Sequence, residues 1–254
     1  MNVWHILKRE MKSYFVSPIA YVTIFIFLLI SGYFFYTNIN NYSFISLQAA
    51  VSSVGFQATT TDGILRPLIG SMSIIMLLMM PLLTMRLFAE EKKSGTIELL
   101  LSYPIRDIEV LLGKFVACLI IFALMLALTL SYIVFLIFWS DPEYGPFFTG
   151  YLGLLLLGAS VISLGVLASS LTENQIVAAA ISFGLSILFW IIGWSSNFVG
   201  PKLATVLNYL SLLQHLQNFS KGIIETKDVI YYLSFIFLCL FLTLRSLESK
   251  RWRG

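Results

Sequence analysis

Residues 86–114 read RLFAEEKKSGTIELLLSYPIRDIEVLLGK, and what flanks this stretch decides the fold. The chain holds 16 Lys and Arg and 13 Asp and Glu. Ten of these charges sit here: Arg86, Glu90, Glu91, Lys92, Lys93, Glu98, Arg106, Asp107, Glu109 and Lys114. Residues 67–85 before it and 115–140 after it carry none. A charged connector between two long apolar runs is the pattern of a loop joining membrane spans.

Composition agrees. Only 11% of the 254 residues are charged, against about 25% in soluble domains, and mean hydropathy is +0.88. A helix rises about 1.5 Å per residue, so roughly 20 apolar residues cross a hydrocarbon core of about 30 Å. Six runs are predicted to do so, at about 18–36, 67–85, 115–138, 147–171, 176–194 and 229–244. The polar Thr37-Asn38-Ile39-Asn40-Asn41 is expected to end the first, and Arg245 to snorkel at the end of the short sixth. No short apolar segment with a small-residue cleavage site follows the N-terminal charges, so the first span is expected to be retained. With six spans both termini share a side, and that side carries twelve of the sixteen Lys and Arg. The opposite side has Arg66, Lys202, Lys221 and Lys227. The positive-inside rule then places both termini and the 86–114 stretch in the cytoplasm.

Ahead of the first span, NVWHILKREMKSYFV (2–16) is amphipathic. Val3, Trp4, Leu7, Met11, Tyr14 and Phe15 form an apolar arc. His5, Lys8, Arg9, Glu10, Lys12 and Ser13 fill the rest, with Ile6 the exception. An interfacial helix is expected, turning into the membrane at Pro18.

The six runs contain no Asp, Glu, Lys, Arg or His. Ion-coupled carriers and intramembrane proteases need such groups, so both classes are disfavoured. Gly113-Lys114 resembles the end of a phosphate-binding loop, but Ile108 and Phe115 break that pattern, so any ATP must be bound by another polypeptide. Cys118 and Cys239 lie in apolar runs and read as buried side chains rather than a redox pair. No metal ligand set is evident. In the fourth run the spacings Gly158–Ser163 and Gly165–Ser169 suit close helix packing.

Within the charged stretch, Ser94 and Thr96 are expected to cap a short helix over 97–102, stopped by Pro104. Its Ile97, Leu99, Leu100 and Leu101 either seek a groove on a partner or dip into the lipid interface; the residues alone leave both open. The residues Glu90, Glu91, Lys92, Gly95, Thr96, Glu98, Leu99, Leu100, Pro104, Gly113 and Lys114 resemble the cytoplasmic loop of ABC-2 type transporter permeases. His215, Phe219, Gly222 and Asp228 are similar to a segment of the gliding-motility and copper-site-maturation permeases within that family.

The resemblance implies an all-α integral membrane fold, type V exporter-like, with an N-terminal elbow helix over 1–17 and six transmembrane helices in a single domain, 1–254. It implies a coupling helix in 86–114 and re-entrant helices within the outer segment 195–228. It also implies a second permease copy, two copies of an ABC ATPase that bind ATP and Mg while this chain binds neither, and export. It leaves room for a periplasmic or membrane-anchored accessory protein, sets the whole in the bacterial inner membrane, and involves no nucleic acid. Glu90, Glu91, Gly95, Thr96, Glu98, Leu99, Leu100, Tyr103 and Pro104 would contact the ATPase. Trp4, Leu7, Lys8, Arg9, Met11 and Lys12 would form the elbow, and His215 would be a packed histidine or a substrate or metal contact.

Overall fold

The computed structural model describes residues 2–52, 59–96, 106–140 and 143–251. All secondary structure among them is helical. The helices are α1 (Asn2–Val16), α2 (Pro18–Ser52), α3 (Arg66–Thr84), α4 (Arg86–Lys93), α5 (Asp107–Trp139), α6 (Tyr144–Leu171), α7 (Gln175–Ser195), α8 (Pro201–Leu210), α9 (Leu212–Ser220) and α10 (Thr226–Arg251). A π-helical turn, Thr61–Leu65, runs straight into α3. Among the described residues, six segments are long and apolar enough to cross a membrane: Pro18–Ala49, Thr61–Lys93, Asp107–Trp139, Tyr144–Leu171, Gln175–Ser195 and Thr226–Ser249.

Helix α6 is the axis of the bundle; α3, α5, α7, α9 and α10 all pack on it. Its glycines explain why. Gly150 receives Ile69 of α3, Gly153 receives Phe219 of α9, Gly158 receives Phe122 of α5 and Gly165 receives Thr84 of α3, each so closely that a β-carbon there would overlap its guest. Apolar side chains gain nothing by leaving lipid for protein, so close backbone approach and van der Waals contact must hold such helices together. The serines of α6 do not disturb this, because Ser160, Ser163 and Ser170 donate to carbonyls three or four residues back in their own helix.

The polar run 37–41 does not end the first helix. Residues 37–41 include neither Pro nor Gly, Thr37 returns its hydroxyl to the carbonyl of Phe34, and α2 continues to Ser52. Its 35 residues extend about 52 Å, some 20 Å beyond a hydrocarbon core of about 30 Å. The extension is braced where Gly63 of the π-turn lies against the Tyr42 ring.

The N-terminal stretch is a helix, with a bend at Ser17 before α2. Its buried stripe, however, is Ile6, Glu10 and Tyr14. Glu10 therefore leaves the water-facing arc on which the sequence places it, and Trp4 and Phe15 are exposed. The reason is α5: Gly113 has no side chain, so Ile6 drops onto it, and the face of α1 centred on Ile6 and Glu10 turns inward.

Candidate functional site

The densest network of charge among the described residues lies where α1, α4 and α5 meet. Lys114, in the third turn of α5, is 1% exposed. A buried ammonium needs carboxylate partners, and it has two: Glu10 of α1 at 3.1 Å and Glu91 of α4 at 2.9 Å. Arg9 bridges the same two carboxylates from outside, at 2.9 Å to each. Burial pushes the Glu10 carboxyl up, but Lys114 and Arg9 more than offset it and hold the group below its ordinary value. The network sits in a cleft of about 330 Å³ whose walls include Ser13, Arg86, Glu90, Ser94 and Thr96. Arg86 stacks 4.6 Å above the Tyr14 ring and donates to the Ser17 hydroxyl at 3.0 Å. Tyr14 in turn donates to the Leu83 carbonyl at 3.0 Å. Burial keeps its phenol well above the ordinary value, so it stays a donor.

Beneath the cleft, α3 passes into α4 through a joint. Pro81 removes one amide from the α3 ladder, and Met85 is a turn. Ser169 of α6 braces the joint from the side. Its hydroxyl accepts from the amides of Phe88 and Ala89 at 3.0 and 3.1 Å and donates to the Met85 carbonyl at 2.9 Å. Those amides belong to the first turn of α4, which has no side-chain cap of its own, so Ser169 caps it from another helix. The favour is returned one residue on. Lys92 of α4 is buried and donates to the Ser170 carbonyl at the end of α6, where a cation suits the helix dipole. Each helix thus caps the other.

At the far end of α4, Gly95 takes a left-handed conformation (φ +70°) that suits glycine at a helix C-terminus. The hydroxyls of Ser94 and Thr96 both donate back to the Glu91 carbonyl, at 3.3 Å each. They close α4, whose orphaned end carbonyls lie within reach; the helix expected over 97–102 lies outside the described residues. Glu90, Gly95 and Thr96 are exposed, whereas Glu91 turns inward. Glu98, Leu99, Leu100, Tyr103 and Pro104 lie outside the described residues. Of the elbow residues, Arg9 joins the network, Leu7 and Met11 pack against the core, and Trp4, Lys8 and Lys12 are exposed.

The opposite end of the bundle is closed by α8 and α9. His215 is buried, with Nδ1 2.6 Å from Asp228 and Nε2 2.9 Å from the Tyr209 carbonyl. Its ring stacks on Tyr231 at 4.0 Å. The second Asp228 oxygen accepts from Asn218 at 2.9 Å. With both ring nitrogens engaged, His215 has no lone pair for a metal or substrate; it is a packed histidine. Phe219 fills the hollow over Gly153 while its carbonyl accepts from Thr149 at 2.6 Å, and Gly222 (φ +87°) ends the turn after α9 against Pro146. Cys118 and Cys239 are both free and buried.

Sequence reasoning missed Glu10, Lys114, Ser169 and Ser170. Lys114 had a signal: a lysine two turns inside an apolar helix must be paired. Ser169 had none, since it reads as one small residue among many.

A bundle of six membrane-crossing helices, with its charge gathered at one end against an interfacial helix, defines a multi-pass membrane protein of the transporter type. Residues 4–245 match the family described as ABC-2 family transporter protein, and the chain belongs to it. No curated protein matches the chain significantly. Membership makes the chain a permease of an ABC transporter, a membrane subunit of the kind that associates with an ABC ATPase.

Proposed function

We propose that this permease dimerises, pairs with two copies of a separate ATPase that bind ATP and Mg, and exports a substrate by ATP-driven movement of α4. The α1–α4–α5 end faces the cytoplasm of the bacterial cell, as the excess of Lys and Arg there favours. The observation that carries the reading is the pair of reciprocal caps between α4 and α6. A push on residues 94–103 reaches α4 through Gly95. It reaches the axial helix through Ser169 and Lys92, and the elbow through Glu91 and Lys114. Glu90, Glu91 and Glu98 supply polar contacts to the ATPase, and Leu99, Leu100 and Tyr103 fill its apolar socket.

The test is site-directed cross-linking in native membranes. Cysteine at Glu90 or Leu99 should cross-link to a subunit that hydrolyses ATP, and Gly95→Pro should abolish coupling while the protein still inserts. Cross-linking of that subunit through Phe44→Cys instead would invert the orientation and sink the assignment.

A second reading is favoured by α2. Its extension past the membrane exposes Phe44 and Leu47, 68% and 67% accessible, which suits a subunit that transmits ATP-driven motion to an accessory protein outside the membrane without transporting anything itself. A partner captured through Phe44 would favour this alternative.

A further inference from the structure

At the end of the bundle closed by α8 and α9, the hydrogen bonds of His215 fix how many protons its ring must carry. Nδ1 lies 2.6 Å from an Asp228 oxygen, and Nε2 lies 2.9 Å from the Tyr209 carbonyl. A carbonyl only accepts, and so does an ionised carboxylate. A neutral imidazole has one N–H to donate and a lone pair on its other nitrogen, which would face one of these oxygens. The two contacts together therefore hold one proton more than a neutral ring and an ionised carboxylate contain. Asn218 donates to the second Asp228 oxygen at 2.9 Å, so the extra proton lies between Nδ1 and the first.

The surroundings put that proton on the ring. Asp228 stands in the first turn of α10, where the helix dipole favours a negative charge. Tyr209 is the next-to-last residue of α8. Its carbonyl belongs to the set that a helix end leaves without an amide partner, and a cation is favoured there. The ring also lies over the face of Tyr231, with centroids 4.0 Å apart, an arrangement in which the aromatic face attracts a cation. Among the described residues, the other charges nearby are engaged or turned to solvent. Lys227 is bound to Glu225 and Arg66 of α3 to Asp62, while Lys202 of α8 is exposed. Helices α6, α7 and α9 contain no Asp, Glu, Lys or Arg.

We infer that His215 and Asp228 form a proton-binding site whose proton latches α8 to α9 and α10. Helix α8 buries no residue of its own. The carbonyls where it joins α9 are held from outside: Tyr209 by His215, Leu210 by Tyr231 and Leu212 by Tyr232. When water takes the proton away, the ring keeps a single N–H. Its charge-assisted bond to Asp228 is the stronger of the two, so the Tyr209 carbonyl is given up and the last turn of α8 loosens. Only the side depends on the permease reading, under which the site samples the solution opposite the ATPase.

The chain has two histidines, so His5→Gln leaves His215 as the single imidazole. The test uses the full chain with that change in nanodiscs, without an ATPase, so that it stands or falls apart from the coupling scheme. Nitrogen-15 NMR of labelled histidine reads the ring. At about pH 6, where histidine commonly carries its proton, both nitrogens should be protonated. A bare nitrogen there would overturn the site. As pH is raised until one proton leaves, amide exchange at residues 207–210, corrected for the direct effect of pH, should rise at least about tenfold, the scale of one hydrogen bond to a charged group. Exchange that stays flat while the ring titrates would overturn the latch. In Asp228→Asn the proton should leave at a lower pH than with the carboxylate present. An unchanged titration in that variant would overturn the pairing, and the NMR of the chain with Asp228 intact decides the matter even if the variant does not fold.

Discussion

The hydroxyl of Ser169 donates to the carbonyl of Met85 at 2.9 Å, so the axial helix holds the joint at which α3 becomes α4. The same oxygen serves two amides of α4.

Ser169→Ala removes the hydroxyl that serves two buried amides and a carbonyl. The expected cost is about 1–3 kcal/mol, read as a lower melting temperature in detergent. Ser169→Thr, which keeps the hydroxyl, should retain much of the stability. In the complex the alanine variant should hydrolyse ATP with its transport stroke weakened. Unchanged stability would mean that the hydroxyl does not carry the joint.

Lys114→Met should be among the most damaging single changes, because it strands Glu10 and Glu91. Breaking a buried pair in this way costs about 3–5 kcal/mol, somewhat less here because Arg9 remains and both carboxylates have some solvent contact. The triple change Lys114→Met, Glu10→Gln, Glu91→Gln should be less harmful than Lys114→Met alone. A thermal-shift series in detergent tests this, and simple additivity would contradict the network.

Acid should act through Glu10. Its folded value lies below the ordinary 4.5, so its contribution is fully present above about pH 4.5 and fades as pH falls through the folded value. The stability difference between wild type and Glu10→Gln should shrink as pH drops below that point. A difference that grew on acidification would contradict the pairing.

Gly158→Val pushes a branched side chain into the ring of Phe122. Overpacking of this kind costs about 1–3 kcal/mol. Phe122→Leu should relieve part of it, as judged by the yield of monodisperse protein.

His215→Ala leaves Asp228 buried with only Asn218 as partner. A loss of about 1–3 kcal/mol is expected, the cost of leaving a buried polar group without its partner. Asp228→Asn together with His215→Gln should recover part of it. Retained metal affinity that depended on His215 would contradict its reading as a packed residue.

The six spans were legible because hydrocarbon imposes a length and an apolarity that a sequence cannot hide. Where α2 stops was not, since a polar run ends the favourable burial without breaking a helix, and the brace of Tyr42 on Gly63 lies far along the chain. The elbow helix was readable as a helix, but its buried face was turned by Gly113, a residue 107 positions beyond Ile6. The charged stretch announced itself, and Lys114 signals a need for pairing without saying with what. Its partners lie 104 and 23 residues away, and no local pattern reports them. The role of Ser169 is fixed by a kink in a different helix, which spacing along its own helix cannot show.

Because α4 and α6 each supply the other's missing terminal partner, their ends must fray together. Opening the first turn of α4 frees Ser169, and opening the last turn of α6 frees Lys92. Amide hydrogens in α4 should therefore exchange in step with those at the end of α6, although α4 follows α3 in the chain. The two form one cooperative unit of opening.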